Sequence, residues 1–195
     1  LVFRTDVPPF DSTEVRRAVY KGTNVAEFQK LAGVKAAPLV WQAVWPGNPA
    51  YVPLEDLPKD IRTLYEYDPE EAKKMLAAAG YPNGFKTGVT VLTAQPWELD
   101  QASLLKDQWS KLGIDVEIHA LDNAGNQSAK YSQPNINWEG IYRDGSPTAN
   151  PVTYLSLFLH SVGGGGGGLN NYGMYSNPEL DKLIDQINAE LDPKK

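Results

Sequence analysis

Apolar residues alternate with polar ones in some stretches of the chain and recur at three- to four-residue spacing in others, and the changes of rhythm divide it into strands and helices. Leu1 to Thr5 alternates like a short strand, Pro8-Pro9 bars a helix, and Asp11 or Ser12 then caps a helix over Thr13 to Tyr20. After Gly22, Asn24 caps a second short helix with Val25, Phe28 and Leu31 on one face, ending at Gly33. Residues 34 to 64 read mostly as loop. There Pro38, Pro46, Pro49, Pro53 and Pro58 stand beside Trp41, Trp45 and Tyr51, so a backbone of fixed shape presents large flat side chains as a wall or a lid.

The next helix has clear punctuation, with Asp68 at the N-cap, Pro69 at the first position, Glu70 and Glu71 in the first turn and Gly80 past the end. Ala72, Met75, Leu76 and Ala79 form its apolar face. Tyr81-Pro82-Asn83-Gly84-Phe85 reads as a turn, and Val89, Val91 and Thr93 alternate as a strand. Trp97 to Leu112 is helical, with Leu104, Leu105, Gln108, Trp109 and Leu112 along one stripe and Gly113 as its stop. Ile114, Val116 and Ile118 make another strand. Strand, crossover helix and strand predict a parallel pair with the helix packed on one sheet face.

Periodicity over Asp122 to Asn137 is too weak to assign, beyond a helix at its start. Trp138 to Tyr142 reads as a strand, Asp144 to Asn150 as a turn-rich loop, and Val152 to Leu159 as a short helix. The glycine run Gly163 to Gly168 reads as a surface loop whose length can drift at little entropic cost. Ser176-Asn177-Pro178-Glu179 caps a final helix that docks by Leu180, Leu183, Ile184 and Ile187.

Composition narrows the class. With 195 residues, 42% hydrophobic and 22% charged, the chain is long enough for one well-buried domain. A formal net charge of −6 without a basic run excludes nucleic acid and anionic membrane surfaces as partners. The absence of cysteine removes disulfides, thiolate metal sites and thiol catalysis, without fixing a compartment. No apolar run approaches the ~20 residues that span a bilayer. Both ends read as cut from something longer, Asp192-Pro193-Lys194-Lys195 resembling the start of another helix.

Chemical motifs are sparse. The glycine run lacks the Lys and Ser or Thr of a phosphate-binding loop. His119 and His160 have no partner at metal-ligand spacing, so no metal or cofactor is expected. No trio of nucleophile, base and orienting group announces itself, and Asn126-Gln127-Ser128 is a chance glycosylation triplet. The segment Trp138 to Tyr154 is different. Trp138, Tyr142, Arg143, Asp144, Asn150 and Tyr154 crowd aromatic, charged and amide groups around one turn. A carboxylate pairs with an ammonium, a guanidinium pairs with a carboxylate, and aromatics stack on what lies between, as a peptide-like zwitterion requires. The competing reading makes Trp138 and Tyr142 core residues and Arg143-Asp144 a solvated turn.

Several blocks, in this order, resemble the family 5 solute-binding proteins that serve dipeptide, oligopeptide, nickel and some sugar importers. Pro8-Pro9-Phe10-Asp11 followed by Val15-Arg16-Arg17-Ala18-Val19 is similar to the entry into that family's second lobe, although Asn24 stands where the family usually has Asp. The most specific block is Tyr67-Asp68-Pro69-Glu70-Glu71-Ala72-Lys73-Lys74-Met75-Leu76 running on through Ala79 to Phe85. Lys111-Leu112-Gly113-Ile114-Asp115-Val116 and Tyr175-Ser176-Asn177-Pro178-Glu179-Leu180-Asp181-Lys182-Leu183-Ile184 are similar to further family blocks.

The resemblance implies an α/β, periplasmic-binding-protein-like type II lobe, a mixed β-sheet flanked by helices. Residues 1–195 would form its single domain, ligand-binding lobe II, the amino-terminal lobe being absent. It implies a monomeric, extracytoplasmic component of an ABC importer, with no enzymatic activity, that binds a peptide or similar small solute between lobes and presents it to the membrane permease. In peptide carriers an Asp after an aromatic-rich strand binds the ligand's amino terminus. Asp144 is its nearest counterpart, but Gly145 to Ala149 insert residues before Asn150-Pro151, so Asp144 or the Asn150 region could hold that place. Arg143, Tyr142 and Trp138 join the candidate site through the cluster around this turn, and Trp41, Trp45 and Trp97 as aromatic groups in loops beside the sheet. A sugar, opine or metal-chelate ligand, or a protein-interaction module, are the alternatives.

Overall fold

The computed structural model describes residues 1–33, 47, 51–126, 140–142, 151–161 and 171–190. A four-stranded sheet runs in the order β1-β4-β2-β3, with β1 Val2–Phe3, β2 Lys86–Leu92, β3 Asp115–Leu121 and β4 Ile141–Tyr142. β4, β2 and β3 are parallel, and β1 is antiparallel to β4, pairing Val2 with Tyr142 and Phe3 with Ile141. The sheet is therefore mixed, with the expected parallel pair at its heart. Helices α1 Thr13–Lys21, α2 Val25–Leu31, α3 Lys59–Arg62, α4 Pro69–Ala78, α5 Pro96–Ser110, α6 Pro151–Tyr154 and α7 Pro178–Ala189 complete the described frame.

Local chemistry explains where the helices begin. Ser12 Oγ accepts the Val15 N–H, Asp68 Oδ1 accepts the Glu71 N–H at 2.9 Å, and Asn177 Oδ1 accepts the N–H groups of Glu179 and Leu180. Each satisfies amides that the first helical turn leaves without partners. Asn24 stands at the head of α2 but makes no such bond. Its backbone N–H donates instead to Gln108 Oε1 at 2.8 Å, and buried Gln108 in turn donates to Glu27 Oε2 at 2.7 Å. One side-chain amide on α5 thus holds the head of α2.

The core lies where α1, α4 and α5 meet the sheet. Phe10, Val15, Val19, Leu76, Val89, Leu105, Trp109, Ile114, Val116 and Ile141 are all buried there. Phe10 links it together, its ring 4.8 Å from Phe3, 5.7 Å from Phe85 and 6.3 Å from Trp109. Trp109 is 1% exposed, and its indole N–H donates to Thr23 Oγ1 at 2.9 Å. An apolar body with its one polar atom satisfied is the arrangement a buried tryptophan needs. Lys21, also buried, donates from Nζ to the carbonyls of Thr63 and Glu66 and so fastens the segment after α3 to the end of α1.

Several expectations need correction. Within the stretch read as loop, Leu54–Asp56 and Thr63–Tyr65 are 3-10 turns on either side of α3, because Pro53 and Pro58 start helical turns here rather than breaking them. β2 buries Gly88 to Val91 in succession instead of alternating, as an interior strand with neighbours on both edges and cover on both faces must. The segment after α6 widens to a π-helical turn at Leu155–Leu159. On α7 Ile184 is buried, but Leu183 is 55% and Ile187 44% exposed, so the docking face is narrower than the spacing predicts. Residues 123–126 are helical, while the glycine run from 163 to 168 lies outside the described residues.

Candidate functional site

Parallel strands give the sheet a direction. β2, β3 and β4 run the same way, with Leu92 opposite Leu121 and Thr90 opposite Tyr142, so their carboxyl ends finish along one edge of the sheet. From β2 the chain crosses through α5 to β3 on one side, while β4 lies on the other. In open sheets with parallel strands, ligands bind in crevices outside the carboxyl ends of the strands. β4 ends with Tyr142 at this edge.

The connection leaving β2 is held tightly. Thr93 N–H donates to Leu121 O at 2.8 Å, and Gln95 N–H donates to Leu92 O at 3.1 Å. Glu98, 5% exposed, accepts the Leu92 N–H on Oε2 at 2.9 Å, tying the first turn of α5 to the end of its strand. This carboxylate was not among the residues singled out from sequence. Its signal was the position of Glu98 in the first turn after Pro96, where a carboxylate favours the helix N-terminus. Trp97, on the same turn, is 42% exposed and donates from Nε1 to Gln95 Oε1 at 2.7 Å, which orients its indole.

α2 lies antiparallel to α5. Asn24 sits by Gln108 near the end of α5, while Leu31 and Ala32 join Trp97, Asp100 and Gln101 around a pocket of about 210 Å³ at its start. α2 therefore ends beside Trp97. β1 is antiparallel, which brings Leu1, 55% exposed, to the same edge. Tyr172 is buried against Val2, Leu121 and Phe158, a small apolar cluster beneath it.

Residues 171–177 are stapled in place by polar groups. Asn171 donates from Nδ2 to the carbonyls of Tyr175 and His160 and accepts the Tyr175 N–H on Oδ1. His160 stands 3.9 Å from Asp181 and 3.4 Å from Asp185. Burial pushes the Asp181 carboxyl up, but the Ser161 N–H and hydroxyl and the His160 imidazole more than reverse this and leave it below the usual carboxylate range. Asp181 and His160 act in folding, anchoring α7 to the segment after α6. His119 lies on β3, 3.9 Å from Glu117. Among the described residues, no group of three or more His, Asp or Glu is placed to hold a metal.

Of the residues chosen from sequence, Trp97 lies in the first turn of α5, just after β2, with its side chain described, and Tyr142 ends β4. Trp41, Trp45, Trp138, Arg143, Asp144 and Asn150 lie outside the described residues. Among the described residues, β2 and β4 end along one edge of the sheet, and α2 ends beside the start of α5.

Residues 1–166 match the family described as bacterial extracellular solute-binding proteins, family 5 Middle. The match contains the block from Tyr67 to Phe85 and stops short of the one beginning at Tyr175. The chain is similar to heme-binding protein A of Haemophilus influenzae, 28% identical over 194 residues that cover 95% of this chain and 32% of that protein. It is also similar to the oligopeptide-binding protein OppA of Bacillus subtilis, 27% identical over 209 residues, 99% of this chain and 34% of that one. Among solved structures, that of HbpA2 from Haemophilus parasuis superposes with a TM-score of 0.80 at 20% identity, covering 99% of this chain and 36% of the other. The chain spans about a third of the length of the curated relatives it matches.

Proposed function

The chain belongs to the family 5 bacterial extracellular solute-binding proteins, and from that footing we propose that it is the second lobe of a longer, two-lobed protein that delivers a peptide or similar small solute to an ABC importer. Its fold is the type II periplasmic-binding-protein-like lobe, a mixed sheet flanked by helices. Residues 1–195 act as one domain of that protein. The solute binds in the crevice at the carboxyl ends of β2 and β4, between this lobe and its partner lobe.

The observation that carries this reading is where the described elements end. β2 and β4 end at one edge of the parallel strands and α2 ends beside the start of α5, and the residues that follow them in sequence include Trp41, Trp45, Arg143, Asp144 and Asn150. A carboxylate and a guanidinium beside aromatic rings suit both ends of a peptide zwitterion. Closure of two lobes over the solute turns binding energy into a change of shape that a permease reads. The working place of such a protein is outside the cytoplasm. Among the described residues, no helix is long and apolar enough to cross a membrane.

Peptide is favoured over a sugar, an opine or a metal chelate by the pairing of Arg143 with Asp144 in the sequence and by the oligopeptide-binding relative. The heme-binding relative keeps a chelate as the second reading. A thermal-shift screen of the longer protein against di- to hexapeptides, neutral oligosaccharides, nickel chelates and heme separates them. A ligand held at a hundred times its Kd adds about 2.7 kcal/mol of stability. Peptides are expected to raise the melting temperature. A rise with sugars or chelates alone removes the peptide assignment, and no rise with any of them favours a protein-interaction module.

A further inference from the structure

A second pocket stands away from the proposed crevice. It has a volume of about 240 Å³ and lies between the end of α1, the start of α2 and the segment following α3. Asn24, at its wall, is beside Gln108, eleven residues along α5 from Trp97, which is about 16 Å along the helix axis. Tyr20, Tyr65 and Tyr67 supply its aromatic surface, Tyr20 and Tyr65 meeting edge to face with centroids 5.2 Å apart. Lys21 holds the Tyr65 side of the pocket in place through the carbonyls of Thr63 and Glu66.

The polar groups in this pocket divide into used and unused. Thr23 Oγ1 is committed, donating to Val19 O and accepting from Trp109 Nε1. The Asn24 side chain caps nothing, although it occupies the position where an amide oxygen ordinarily would, and it bonds to no described residue. The Tyr20 hydroxyl likewise makes no hydrogen bond among the described residues. Burial, with the neighbouring Tyr65 adding to it, holds the Tyr20 phenol well above its ordinary pKa, so it stays a neutral donor. No Asp, Glu, Lys or Arg lines the pocket.

Flat aromatic faces, an idle amide, an idle hydroxyl and no charge suit a ligand with apolar ring faces and hydroxyl edges. The volume falls below the roughly 300–1,000 Å³ of pockets for drug-sized ligands, which limits the occupant to about one ring. We propose that this pocket binds a single ring of an uncharged saccharide, stacked on Tyr20 and Tyr67 and hydrogen-bonded by Asn24 and the Tyr20 hydroxyl. The site is separate from the solute crevice and does not depend on the identity of the transported solute.

Saturation-transfer NMR and titration of the chain with methyl glycosides of glucose, galactose, mannose and N-acetylglucosamine, and with their tetramers, tests this. Tyr20→Phe keeps the ring and removes the hydroxyl, and Asn24→Ala leaves both backbone bonds to Gln108 in place, so unchanged melting curves are expected of both. At least one sugar should bind, and each variant should weaken it by about five- to tenfold, the loss of one hydrogen bond. Equal affinity for monomer and tetramer identifies a free sugar, and tighter binding of the tetramer identifies a polymer end. Absence of transfer from every sugar, or affinity unchanged in both variants, overturns the proposal.

Discussion

Trp109→Ala is expected to destabilise the chain by about 3–5 kcal/mol, lowering its melting temperature by about 6–20 °C. The indole is 1% exposed, faces the Phe10 ring at 6.3 Å, and is the point where α5 packs into the cluster that joins α1 to the sheet. Removing it leaves a cavity that rigid neighbours fill only partly, and it deprives Thr23 Oγ1 of its donor. Trp109→Phe keeps most of the volume and loses the hydrogen bond, so its effect should be smaller. Urea titrations of the three proteins check the order. Equal stability of Trp109→Ala and wild type would mean that α5 does not dock as described.

Gly84→Ala should be comparably severe for a different reason. Gly84 has φ +72°, and a β-carbon there would overlap the carbonyl oxygen of Gly113, itself at φ +83°. The left-handed backbone alone costs an alanine about 1–2 kcal/mol, and the clash adds to it because the obstacle is main chain. These two turns feed β2 and β3, and the Asp115 N–H to Phe85 O bond of 2.9 Å joins them across the same point. Separating them disturbs the start of both parallel strands. Little folded Gly84→Ala protein is expected at 37 °C, whereas Gly80→Ala, which meets no atom within 4 Å, should stay folded at the cost of its φ of +95° alone. Circular dichroism melts of the pair measure the difference.

What could be seen in the sequence was what depends on neighbours in the chain. Asp68-Pro69 and Asn177-Pro178 announce helix starts because the cap bond closes within three residues. The parallel pairing of β2 with β3 follows from one helix between two short apolar runs. The antiparallel placement of β1 against β4, about 140 residues later, has no such local signal. Nor has the use of Gln108 in place of the Asn24 side chain at the head of α2, since that depends on how α5 and α2 lie against each other. Leu183 and Ile187 fit a docking stripe by spacing, but spacing does not say how wide a face the neighbours cover.

Of the candidate site, the sequence offered residue types in a neighbourhood, and most of those residues lie outside the described structure. Trp97 stands out in the sequence as an aromatic beside the sheet, and in the fold it lies in the first turn of α5, next to the carboxyl end of β2. Glu98 passed unnoticed because a glutamate in a first helical turn is ordinarily a solvated charge, and only the fold shows it buried on the Leu92 N–H. That β2 and β4 lie side by side and end at one edge is a property of strand order, which a linear pattern does not contain.

The most direct measurement is calorimetric titration of the longer protein with a peptide taken from the thermal screen, wild type against Asp144→Ala and Asn150→Ala. A buried bond to the peptide's charged amino terminus is worth about 1.5–3 kcal/mol, so affinity should fall by about tenfold or more in at least one of the two variants. Wild-type affinity in both would contradict a solute site at the carboxyl end of β4.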